Sequence, residues 1–319
     1  MVTTSGQNTK VCAIQGNFDD AQSNVKKIFQ DQEMKERLNE MNTTLSSANS
    51  INIGRLIPQI VYYVFAYKEM VRKGKIRFGE EINFCVPTGN YGNVLAGYYA
   101  KCMGLPVKRF LVASNANHVL YDFLTTGIYD RNRSFFKTIS PSMDILISSN
   151  LERLLYYKSG KDADYIHELM KSLEEKGSYQ VRSDIFKDIQ KDFYGGYCDD
   201  ETCAAIMKEF YEEKGYVLDP HTAVGYKVMK DYQKNDATPC VLLATASPYK
   251  FAPAVENAIF QQSNEDEFAC MEELQRKSGA RIPDSLLLLQ GAKIRHEDVI
   301  DKEDMRDYVE KTVKEMFHD

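Results

Sequence analysis

Between residue 42 and about residue 126, short β-rich runs take turns with longer helical patterns, and this alternation restricts the chain more than any other feature. NTTLSS at 42–47 leads to a helix from about Asn52 to Arg72. INFCVPT at 82–88 leads to one from about Gly92 to Cys102, and KRFLVAS at 108–114 to one near Val119. Strands that alternate with helices pair in parallel and bury their faces under those helices, so the expected class is α/β. Upstream, VCAIQG from Val11 reads as a strand and Phe18 to Leu38 as one helix, with Asp19 and Asp20 suited to its positive end. From about Ser140 to Tyr232 the pattern turns helical and charged. The next strand of comparable apolarity is CVLLATAS at 240–247, read as the return to a second sheet, and the tail from Phe251 reads as helices separated by Gly279 and Pro283.

Single cores stop growing near about 250–300 residues, so a chain of 319 makes two lobes the default. A net charge of -6 argues against a nucleic-acid partner, which demands clustered surplus Lys and Arg. The seven cysteines are scattered and odd in number, which suits reduced thiols. Cys198, Cys203 and His221 lack the second pair that a tetrahedral zinc set needs, so no metal is expected. MVTTSGQNTK has no apolar signal region, and IPQIVYYVFAY from Ile57 is too short to span a bilayer, so no membrane partner and a cytoplasmic location are expected.

Three clusters close strands and open helices. In PTGNYGN at 87–93, Gly89 and Gly92 let successive N–H groups converge at a helix start, which suits a phosphate monoester; a plain capped turn would look the same. SSANSINIGR at 46–55 brings Asn49, Ser50, Asn52 and Arg55 within about two turns, a donor set for an oxyanion or a capped helix beside a surface arginine. ATASPYKF at 244–251 offers Thr245 and Ser247 after an apolar strand, or simply a turn ahead of Pro248.

With SPSMDILISSNLERLL at 140–155 and DPHTAVGY at 219–226 in register between them, these blocks make the chain resemble the long-form threonine synthases, from GNFDDAQ at 16–22 to RHEDV at 295–299. The resemblance implies the tryptophan synthase β-like architecture of pyridoxal-phosphate enzymes of fold type II, incomplete at the N-terminus. One α/β lobe over 1–115 would carry the phosphate loop; a second over 116–319 would carry a helical insertion at about 140–232 and C-terminal helices. It implies pyridoxal 5′-phosphate as cofactor, with Gly89, Asn90, Tyr91, Gly92 and Asn93 around its phosphate and Thr245 against its pyridine nitrogen. Asn49, Ser50, Arg55 and Asn90 would hold the substrate, O-phosphohomoserine.

The family's cofactor-binding lysine precedes all of these blocks, so the resemblance assigns no catalytic lysine within this chain. Phe186-Lys187-Asp188 has the family's letters but sits in a charged helical stretch after the phosphate loop, as a surface lysine would. The implied function is the conversion of O-phospho-L-homoserine and water to L-threonine and phosphate. The alternatives are an inactive fragment that binds phosphate ligands or a partner subunit and, less favoured, a related dehydratase or tryptophan-synthase-like enzyme. Self-association is expected if strand neighbours are missing and apolar edges lie open. His118, His221 and His296 read as satisfied structural histidines.

Overall fold

The computed structural model describes every residue except 7, 17, 49–51, 263, 318 and 319, and the backbone alone at 18, 19 and 317. Its strands are β1 Ala13–Gln15, β2 Ile82–Pro87, β3 Val107–Ser114, β4 Ile128–Asp130, β5 Ser178–Gln180, β6 Phe193–Tyr197, β7 Cys240–Leu242 and β8 Val299–Asp301. The chain divides into two compact units, one joining Met1–Ser47 to Pro283–Asp319 and the other running from Ala48 to Ile282. The lobe boundary expected at 115/116 falls between β3 and the helix Val119–Thr126, inside the second unit.

In the first unit β1 pairs in parallel with β8, with Ala13 opposite Val299. Ile28, Met34, Leu38 and Val313 form a small core. The single helix expected from Phe18 to Leu38 is two helices, Phe18–Gln30 and Gln32–Glu40. Asp31 makes the break: its carboxylate accepts from the Met34 N–H at 2.9 Å, capping the second helix. NTTLSS is not a strand. Asn42 turns left-handed at φ 50°, and the Thr43 N–H donates to the Leu38 carbonyl at 2.9 Å, closing the preceding helix.

The second unit is built on a four-stranded parallel sheet in the order β6-β3-β2-β7. β7 does not begin a second sheet; it returns to the open edge of β2, with Cys85 opposite Leu242. β2 is buried along its whole length because helices cover both faces. Phe84 faces one way, its ring 4.8 Å from that of Tyr63 on the helix Ile60–Arg72. Cys85 faces the other way and donates to the Gly225 carbonyl on the helix Pro220–Gln233. The expected helical stretch conceals β5 and β6; β5 pairs antiparallel with β4, and β6 adds to the edge of β3. The helix expected from Asn52 is interrupted by a three-ten turn at Ile57–Gln59, where Pro58 has no N–H to give.

The helix Ile60–Arg72 is apolar on both sides. Tyr63 and Tyr67 are buried, whereas Val61 and Phe65 are 62% and 59% exposed. Its packing on the sheet demands a glycine across the way, since a Cβ at Gly97 would lie 2.6 Å from ring atoms of both Phe110 and Tyr63. Gly97→Ala is therefore expected to destabilise the protein by about 2–3 kcal/mol in urea unfolding, from overpacking rather than from lost helix propensity. A neutral or stabilising result would mean that the two rings yield freely.

Candidate functional site

Ligands of open α/β sheets gather where the strand order reverses, because adjacent connections there run to opposite sides and leave a crevice at the carboxyl ends of the strands. Here the chain builds outward from β2 to β3 and β6, then places β7 on the other side of β2. The residues after β2 and those after β7 line one cleft of about 280 Å³. Its wall includes Thr88 to Asn93, Ser142, Met143, His221, Thr245, Ala246, Lys250 and Gln59.

The turn after β2 is shaped by Tyr91, which holds φ 63° and ψ 2°, a left-handed conformation that costs a bulky side chain on the order of 1–3 kcal/mol. Burial enforces it. The Tyr91 ring is 1% exposed and lies 5.9 Å from that of Phe193. The helix Gly92–Cys102 starts there, and the Tyr91 carbonyl accepts from the Leu95 N–H at 2.9 Å. The N–H groups of Gly92, Asn93 and Val94 precede the first such bond and lack an acceptor within the helix; Gly92 and Asn93 line the cleft, so a helix N-terminus stands at its wall, an arrangement suited to an anion.

Every other part of the turn is clamped. Gly89 donates no freedom of φ; its role is close approach, since a Cβ there would lie 2.9 Å from the Ser142 carbonyl oxygen and 3.4 Å from Met143 Cα. The Ser148 hydroxyl donates to the Gly89 carbonyl at 2.9 Å, and Asn150 donates to the Asn90 carbonyl through its backbone N–H at 3.1 Å and its amide at 2.9 Å. The Tyr63 hydroxyl donates to Asn93 Oδ1 at 2.6 Å and to the Asn93 carbonyl at 2.8 Å. Burial pushes the Tyr63 phenol well above its ordinary value, so it remains a neutral donor.

Of the residues singled out in the sequence, Gly89, Asn90, Tyr91, Gly92, Asn93 and Thr245 all line this cleft. Arg55 is not among the lining residues; its guanidinium donates to the Ala48 carbonyl. Asn49 and Ser50 lie outside the described residues. Lys187 is exposed on the helix Ser183–Asp192 and does not reach the cleft wall. His118 sits beside Asp122 at 3.0 Å, and His296 Nε2 lies 3.0 Å from the Thr4 carbonyl oxygen; neither lines the cleft. Gln59, Ser142, Met143, His221 and Lys250 also stand on the wall without having been singled out as site residues. Ser142, Met143, His221 and Lys250 stand inside blocks already picked out in the sequence, which was the available signal.

Residues 222–285 match the family description "Threonine synthase, C-terminal". Threonine synthase-like 1 of Homo sapiens is 43% identical over 261 residues, covering 81% of this chain and 35% of that protein. Threonine synthase of Saccharomyces cerevisiae is 37% identical over 282 residues, covering 83% of this chain and 53% of its own. The solved yeast threonine synthase superposes with a TM-score of 0.79 at 33% identity, over 99% of this chain.

This chain belongs to the threonine synthase family.

It covers 61% of the yeast structure, and 61% likewise of the pyridoxal-phosphate-bound threonine synthase from Brucella melitensis, which matches with a TM-score of 0.78 at 35% identity. Against those two curated threonine synthase relatives it spans between about a third and about a half of their length. The α/β fold with its parallel sheet is thus that of the threonine synthases.

The close approach at Gly89 makes one outcome specific. Gly89→Ala is expected to push the Ser142 segment off the turn and weaken binding of inorganic phosphate at least about tenfold by calorimetry, with the far-ultraviolet dichroism unchanged. Unchanged affinity would show that phosphate does not depend on this turn.

Proposed function

We propose that this chain carries the phosphate-cradling side of a threonine synthase site, with pyridoxal 5′-phosphate as cofactor and O-phospho-L-homoserine as substrate. The observation that carries the reading is the left-handed Tyr91, after which a helix starts with Gly92 and Asn93 on the wall of a cleft shared with Thr245. The residues fit such a group: the turn has no side chain at Gly89 or Gly92 to obstruct a phosphate ester, and it is held rigidly from behind by Tyr63, Ser148 and Asn150.

Pyridoxal phosphate, when bound, supplies an electron sink that stabilises negative charge at the substrate's α carbon. This chain's own part is to bind and orient. The backbone N–H groups of Gly92 and Asn93 would take the cofactor phosphate. Thr245 would set a neutral hydroxyl at the pyridine nitrogen, which does not enforce ring protonation as an aspartate would and so favours elimination and replacement at the side chain over stronger electron withdrawal. Lys250 brings a positive charge to the same wall and would attract the substrate's anionic groups.

A second reading, binding of phosphate ligands without turnover, draws on one observation: Lys187, which has the family's letters around it, is exposed and does not line the cleft. The purified chain should be titrated with pyridoxal phosphate while absorbance is followed, then assayed for phosphate released from O-phosphohomoserine. Saturable binding supports the cradle in both readings; release in addition would mean that a lysine of this chain serves the chemistry and would remove the second reading; no binding contradicts both. Lys250→Ala is expected to weaken phosphate-ester binding by about three- to tenfold and to flatten its salt dependence, and equal affinities at low and high salt would remove Lys250 from the site.

A further inference from the structure

His221 is 2% exposed, and its two ring nitrogens have different partners. Nε2 lies 3.1 Å from the backbone nitrogen of Ser142, which can only donate, so Nε2 accepts. The ring proton is therefore on Nδ1, which donates to Asp219 Oδ1 at 3.0 Å. Asp219 is fixed in turn: as the cap of the helix Pro220–Gln233 it accepts from the His221 N–H at 2.9 Å, from the Thr222 N–H at 3.3 Å and from the Thr222 hydroxyl.

Ser142 needs that acceptor. It sits in the three-ten turn Pro141–Met143, where the Met143 N–H reaches the Ser140 carbonyl and the Asp144 N–H reaches that of Pro141, but the Ser142 N–H is too early for a partner within the turn. The far end of the segment is tied separately, by Asp144 accepting from Asn115, Asn117 and Thr138. What His221 fixes is thus the Ser142 backbone at its N–H, and the carbonyl oxygen of the same residue is the atom that a Cβ at Gly89 would meet at 2.9 Å.

We propose that Asp219 and His221 are positioning residues for the anion-binding turn, acting through the Ser142 backbone that lies beside Gly89, rather than a histidine that only fills the core. The proposal rests on the reading of Gly89–Asn93 as a phosphate cradle. It assigns His221 no proton transfer: its neutral, Nδ1-protonated ring is a fixed acceptor that keeps the turn in its binding shape.

Two variants separate this from packing. His221→Phe keeps a ring against Phe251, now 4.8 Å from the imidazole, but offers no acceptor; His221→Gln can present an amide oxygen near the place of Nε2. Affinity for inorganic phosphate is measured by calorimetry alongside the melting temperature of each. His221→Phe is expected to bind phosphate about tenfold more weakly, the worth of one buried hydrogen bond, and His221→Gln to return to within about threefold of the parent. Parental affinity in His221→Phe, or equal loss in both variants, overturns the proposal. Should either variant fail to fold, nitrogen-15 spectra of the parent decide: a proton on Nε2 overturns the proposal, and a proton on Nδ1 supports it. Loss of phosphate binding in Gly89→Ala with none in His221→Phe would leave the cradle standing and remove only the positioning pair.

Discussion

The shape of the turn after β2 depends on how closely two backbones lie, Gly89 beside the carbonyl of Ser142. A methyl group at Gly89 would come within 2.9 Å of that oxygen, so the turn after β2 can take its shape only where the residue has no side chain. Two residues further on, Tyr91 is left-handed and the helix Gly92–Cys102 starts immediately after it, with Gly92 and Asn93 on the wall of the cleft. The strain at Tyr91, on the order of 1–3 kcal/mol, persists because the ring is buried and the neighbouring carbonyls are clamped by Ser148 and Asn150. A turn held this way presents donors without reorganising when an anion arrives, which is what makes fixed dipoles effective.

The sheet supplies the reason that distant segments meet there. β2 lies between β3 and β7, so the turn after β2 and the segment after β7 emerge side by side although more than a hundred residues separate them. Helices on both faces of β2 make it a rigid base: Phe84 is locked against Tyr63 on one side and Cys85 bonds Gly225 on the other. Tyr63 then does a second task, since its hydroxyl holds Asn93. Core packing and the shape of the site are therefore joined through one side chain. The same helix shows solvent an apolar outer face at Val61 and Phe65.

Much of this could be read from residues in a row. The apolar runs INFCVPT and KRFLVAS announce β2 and β3 because strands buried on both faces need no polar alternation. PTGNYGN announces its turn because glycines at the end of such a strand have few other uses. β6 escaped notice because FYGGY is short and carries two glycines, which argue against a strand; the structure wants them because a Cβ at Gly196 would meet Val228 at 2.6 Å. NTTLSS has β-branched residues but is taken over by the capping of the helix before it. The part played by His221 was invisible for a different reason: its partner Ser142 is 79 residues away, and no spacing rule relates them. Arg55, singled out as an oxyanion donor, gives one guanidinium N–H to the Ala48 carbonyl, a partner that the spacing of the cluster does not announce.

The central claim is that the turn from Gly89 to Asn93 receives the phosphate of a phosphorylated ligand. The most direct measurement follows backbone amide resonances of the nitrogen-15-labelled chain during titration with pyridoxal 5′-phosphate. The N–H signals of Gly92 and Asn93 are expected to move most, and downfield, as charged hydrogen bonds form, with smaller changes at Ser142 and Thr245. Saturable binding that leaves Gly92 and Asn93 unmoved would contradict that claim.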